Sequence, residues 1–215
     1  MDGTKAGPGL AEPFAALVDQ YQFPAGYRRM LLAAVDAFAE HGFHGTSTRD
    51  IAARAGMSPA ALYAHFSSKE ELLHTIMASA LDLTVAMVSG EASRPASPAG
   101  RLQAVVTALS AWQAYHLPVA RVVLYQLDAL APEHLAEVTG KMREIDRIVR
   151  AIVADGASVG DFTVTDISAT ATATLSLCLD VARWYYPGYR RTPQEIGEMN
   201  ARTALRIVGV PEPAT

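Results

Sequence analysis

Between Thr46 and Lys69 stand Thr48, Arg49, Ser58, Tyr63 and His65. Hydroxyls, a guanidinium, a phenol, an imidazole and an ammonium are groups that hold phosphate oxygens. They do so best beside the unsatisfied N–H groups of helix N-termini. A catalytic or metal reading finds less to work with. The six histidines (His41, His44, His65, His74, His116 and His134) show no paired metal-ligand spacing. There is no Ser/His/Asp constellation, Walker loop or Gly-x-Gly-x-x-Gly. The expectation is therefore no catalysis, no metal and no cofactor.

These side chains need short helices to present them. The stretch Thr46–Leu73, TSTRDIAARAGMSPAALYAHFSSKEELL, places Ile51, Ala52 and Ala55 at helical spacing, then Gly56, then Leu62, Tyr63 and Phe66. Two short helices joined by a turn containing Gly are the helix-turn-helix pattern. Thr48 is the candidate N-cap of the first helix, Arg49–Ala55. Ser58 caps the second, Pro59–Phe66, with Pro59 at its first position. Ser67 and Ser68 cap a long helix reaching about Val88, with Glu70 and Glu71 in its first turn.

The flanks read as helices too. Leu10–Tyr21 reads as a short helix behind an arm, and Pro24–His41 as a strong one ending at Gly42. Ser89–Gly100 is the clearest break in composition. Helices follow over Arg101–Tyr115, Pro118–Leu130 and Pro132–Asp155. Two more run over Asp166–Tyr186 and Pro193–Val208. Lys141, Arg143, Arg147 and Arg150 form a basic face that reads first as a solvated helix surface. No strand pattern of useful length occurs, so the fold class is all-α.

Composition limits the partners. Half of the 215 residues are apolar, and no signal-like apolar core opens the chain. No run approaches the uncharged length of a membrane span. The single Cys178 fits a reducing cytoplasm and reads as a small buried hydrophobe. The net charge is −4, and residues 1–69 carry six Lys/Arg against six Asp/Glu. Any DNA contact must come from a local cluster (Arg28, Arg29, Arg49, Lys69) and helix N-termini.

At this point a resemblance enters. Phe38–Phe43, Thr46–Thr48, Ile51–Ser58, Leu62–Phe66 and Lys69–Leu72 resemble, in order, the DNA-binding motif of TetR/AcrR-family transcriptional regulators. The resemblance implies an N-terminal helix-turn-helix and a C-terminal helical bundle for ligand binding and dimerisation. Its DNA contacts would be Thr46, Thr48, Arg49, Ser58, Pro59, Ala60, Ala61, Tyr63, His65 and Lys69. Taken singly, Tyr63 is equally compatible with packing on Phe38 or Phe43, and His65 with plain exposure. The family often has Gly where this chain has Ala60. A methyl there holds the helix end away from the bases or meets a thymine methyl.

The resemblance implies domains at 23–70 (helix-turn-helix) and 71–210 (ligand binding and dimerisation), flanked by an arm at 1–22 and a tail at 211–215. It also implies a homodimer through the last two long helices, on a palindromic double-stranded DNA operator. Release would come from a small hydrophobic effector, and no membrane partner is expected. The segment Asp180–Val208 is similar to the ends of actinobacterial regulators of lipid or steroid catabolism, several of which respond to acyl-CoA thioesters. Pocket candidates are Trp112, Leu124, Tyr125, Leu127, Arg147, Thr174 and Cys178, each of which is also compatible with core or dimer packing. The rival reading is a helical interaction protein that keeps the motif only as scaffold.

Overall fold

The computed structural model describes residues 23–211. The arm, the helix expected over Leu10–Tyr21 and tail residues 212–215 lie outside the described residues. Ten α-helices run through the described chain: α1 (Ala25–Gly45), α2 (Thr48–Arg54), α3 (Pro59–Tyr63), α4 (Lys69–Ala92), α5 (Pro98–Tyr115), α6 (Leu117–Tyr125), α7 (Pro132–Ser158), α8 (Ile167–Leu179), α9 (Val181–Trp184) and α10 (Pro193–Ile207). A 3-10 turn, Leu127–Ala129, follows α6. Among the described residues there is no strand.

The helix ends follow local chemistry. α1 stops being helical at Gly42, whose φ of 72° and ψ of 168° suit a residue without a Cβ. Ser47, not Thr48, caps α2. It has extended backbone, its hydroxyl accepts from the Asp50 N–H, and the Asp50 carboxylate accepts from the Ser47 N–H at 2.9 Å. Thr48 already lies inside the helix. Ser58 and Pro59 start α3 as the sequence predicts. Asp166 caps α8 through the Ala169 N–H, and Thr192 and Glu195 form a capping box on α10. The single helix expected over Asp166–Tyr186 is two, because the pattern breaks at Asp180.

The chain forms two compact units. The first joins the chain up to Ser79 with His116–Leu135. The second joins Ala80–Tyr115 with the chain from Ala136 onward. The sequence reading kept 71–210 together. The structure places the α6 segment with the N-terminal helices because α6 packs on α1.

In the first unit the core is Met30, Leu31, Val35, Phe38, Ile51, Leu62, Phe66, Leu72, Leu73, Ile76 and Met77, all buried. α4 is long and apolar enough to cross a membrane by length and composition, yet half of that window is buried in the fold. In the second unit α5 packs against α8 and α10. Asn200, on α10, is buried there. Its Nδ2 donates to Ser110 Oγ on α5 and to Leu177 O on α8, both at 3.1 Å. A buried amide that finds both partners fixes the register of the three helices, since any slip leaves it unsatisfied.

His116, in the first unit, supplies a pH signature. Burial pushes its imidazole from 6.5 down to about 4. The folded value is depressed, so its contribution is full above 6.5. It is lost as pH falls toward 4, because the unfolded chain takes up a proton the fold refuses. Urea denaturation across that window is expected to show a steeper loss of stability for wild type than for His116→Gln.

Candidate nucleic-acid interface

Two helices of seven and five residues cannot hold themselves; a shared core holds them. Ile51 and Ala52 from α2, Leu62 from α3 and Phe66 just beyond it are all buried to 1% exposure or less. Tyr27 of α1 lays its ring on Phe66 at 4.5 Å. Gly56 turns the chain between the helices with a φ of 66°, which a Cβ would strain. The Ser58 hydroxyl then accepts from the Ala61 N–H at 3.2 Å.

The outer face is small and uncharged. Pro59 and Ala60 at the start of α3 are exposed, and Ala61 is half-buried. Tyr63 is 55% exposed, and its hydroxyl pairs with Thr48 Oγ1 at 3.3 Å, linking α3 to the first turn of α2. His65 is exposed, with its ring edge-on to Tyr27. Arg49 is exposed at the start of α2. Thr48, Arg49, Ser58, Pro59 and Ala60 thus lie at the beginnings of α2 and α3, while Tyr63 ends α3 and His65 follows it. Arg54 points elsewhere, paired to Glu40 at 2.7 Å.

Two expected contacts have other partners. Thr46 is 3% exposed, and its hydroxyl faces Gly42 O at 2.8 Å and Ala37 O at 3.1 Å. Its N–H donates to Phe43 O, and its own carbonyl accepts from Lys69. The expectation that Thr46 touches phosphate is therefore corrected: a small hydroxyl in a turn closes the end of α1 from inside. Lys69 Nζ donates to Phe43 O and Thr46 O, each at 2.7 Å, and lies 4.0 Å from the centre of the Phe43 ring. Burial holds its ammonium below the ordinary lysine value.

The sequence reading missed Gln126 and His134. Gln126 Oε1 accepts the Phe43 N–H at 2.8 Å. Glu70 Oε1 accepts the Ala131 N–H at 2.9 Å, and the Glu70 carboxylate also lies 2.8 and 3.0 Å from His134 Nδ1. His134 stacks flat on His74 at 3.8 Å. The available signal was a polar Gln126 inside the apolar run Val122–Leu127.

The pocket candidates fall in both units. Leu124 and Leu127 are half-buried and Tyr125 is exposed, all in the first. In the second, Trp112 is half-buried, while Thr174 and Cys178 are buried and donate to carbonyls of their own helix. Burial pushes the Cys178 thiol up to about 12, so it behaves as the inert core residue expected. Arg147 is exposed and ion-paired to Glu144 one turn away. An open cleft of the second unit, among Glu91, Arg94, Gln103, Thr107 and Gln194, contains none of these candidates.

The fold and the motif define an all-α helix-turn-helix protein with a separate helical unit. The model described as "Bacterial regulatory proteins, tetR family" matches residues 30–76, and that described as "Tetracyclin repressor-like, C-terminal domain" matches residues 95–208. The chain belongs to the tetR family and is a DNA-binding transcriptional regulator. The HTH-type transcriptional repressor KstR2 of Mycobacterium tuberculosis is 30% identical over 173 residues, 79% of this chain and 86% of that one. The solved structure of that ketosteroid transcriptional regulator is 26% identical with a TM-score of 0.78, over 83% of this chain and 93% of that one. A tetR-family regulatory protein from Rhodococcus RHA1 reaches a TM-score of 0.83 at 35% identity, over 88% of this chain and 100% of that one.

Thr46→Val removes the one hydroxyl proton that faces two carbonyl oxygens. It is expected to lower the unfolding free energy by about 1–3 kcal/mol, read as a lower urea midpoint at constant m.

Proposed function

We propose that this regulator is a repressor. It binds a roughly palindromic operator as a homodimer and is released by an apolar small molecule. The observation that carries the reading is the exposed cluster at the starts of α2 and α3. Arg49 and the Thr48 and Ser58 hydroxyls there suit phosphates, as do Tyr63 and His65 at the far end of α3, while Pro59, Ala60 and Ala61 meet base edges. With so few long polar side chains for direct readout, DNA shape contributes to operator choice. The repressor relatives support the sign of control.

The dimer reading rests on α8 and α10. Ala169, Thr172, Ala173, Ser176 and Leu179 are exposed along α8, a small-residue stripe that allows close approach of a second copy. Ala171, on the same helix, is buried within the protomer. For the effector we propose an acyl-CoA thioester of lipid or steroid breakdown. The support is the similarity of Asp180–Val208 to regulators of such pathways and the likeness to a ketosteroid regulator. Such a protein works in the cytoplasm, where its operator lies.

Two measurements test this. Tyr63→Phe is expected to weaken an operator duplex and a scrambled duplex together, whereas Ala60→Ser is expected to change sequence preference. The reverse pattern would put α3 in the wrong register. In a thermal-shift panel, steroid-derived and fatty acyl-CoA thioesters are expected to raise the melting temperature and to release operator DNA. A compound that stabilises the protein equally with and without operator is not the effector.

A further inference from the structure

The Phe43 peptide is held through both of its polar groups. Its N–H donates to Gln126 Oε1 at 2.8 Å, and its carbonyl accepts from Lys69 Nζ at 2.7 Å. The same ammonium takes Thr46 O at 2.7 Å and faces the Phe43 ring. That ring packs on Phe38 at 5.6 Å and on His44 at 5.3 Å. This peptide sits just after Gly42, where α1 ceases to be helical, and a few residues before α2 begins. A left-handed glycine permits many exit directions and selects none. The direction must come from what grips the chain next.

We propose that Lys69 and Gln126 are positioning residues that fix the Gly42–Thr46 turn and so set where α2 and α3 are presented to operator DNA. The inference rests on the DNA-reading role proposed above. Two of the three ammonium N–H groups already serve carbonyl oxygens at short distance, one of them on a 3%-exposed residue. Lys69 is thereby committed to the turn through two of its three donors. Gln126 comes from the end of α6, within the same unit, and holds the amide side of the same residue. Both helices that follow share one core with α1, so a shift of the turn moves them together.

The test uses the full-length protein, a duplex enriched from a random library by wild type, and a scrambled duplex of equal length. Each variant is first shown to be folded by circular dichroism. Lys69→Met and Gln126→Leu are expected to lose about tenfold or more on the enriched duplex and stay within about twofold on the scrambled one. The slope of log K against log salt is expected to stay that of wild type. Gln126→Glu keeps an acceptor for the Phe43 N–H and is expected to bind like wild type.

If Lys69→Met weakens both duplexes alike and lowers the salt slope by about one, Lys69 is a phosphate contact and the proposal is overturned. Wild-type preference in Gln126→Leu, or equal loss on both duplexes at unchanged slope, also overturns it. Should Lys69→Met not fold, the Gln126 pair decides alone. If wild type itself shows no preference for the enriched duplex, the DNA-reading role fails. That result appears without any variant and is thereby told apart.

Discussion

The first unit depends on how the chain leaves α1. A helix of α1's length could continue through Phe43, but Gly42 ends it with a left-handed residue. The freed backbone groups are then satisfied one by one. Thr46 covers Gly42 O and Ala37 O, Lys69 covers Phe43 O and Thr46 O, and Gln126 takes the Phe43 N–H. Lys69 and Gln126 come from distant points in the chain, so the turn is specified by the tertiary fold as well as by its own Gly42 and Thr46. α2 and α3 are too short to persist alone, and they inherit their placement from this turn and the Phe38–Ile51–Leu62–Phe66 core.

The electrostatics follow the same economy. The chain carries a net charge of −4, and residues 1–69 balance. Lys69, one of the cations expected to meet DNA, is engaged with carbonyls, and Arg54 with Glu40. Facing outward are Arg29, Arg49, Tyr63 and His65. Such a surface makes few long-range contacts with phosphate. In the proposed dimer, binding strength leans on presenting two copies at matched spacing, which brings the proposed α8 and α10 contact into the same account.

Much of this was legible in the sequence. Ser58-Pro59, Gly56 and the Ile51, Leu62 and Phe66 spacing located both short helices, because caps and periodicity are local signals. Asp166 and Pro193 marked the starts of the last helices for the same reason. What stayed hidden was long-range. Nothing local announces that Gln126 pairs with Phe43 or that Glu70 holds Ala131 and His134. For the same reason, nothing local announces the carbonyl partners of the lysine at the start of α4. Thr46 and Thr48 are alike on paper, yet one is buried and the other half-exposed, since α2 starts one residue earlier than its threonine suggests. The Ser110–Asn200 pair lay out of reach for the same reason.

The central claim is that two copies of α3 read one DNA site. A hydroxyl-radical footprint of the full-length protein on its enriched duplex tests it most directly. The account predicts two protected patches about one helical turn apart, arranged around a dyad. A single unbroken footprint, or no protection at low salt, would contradict it.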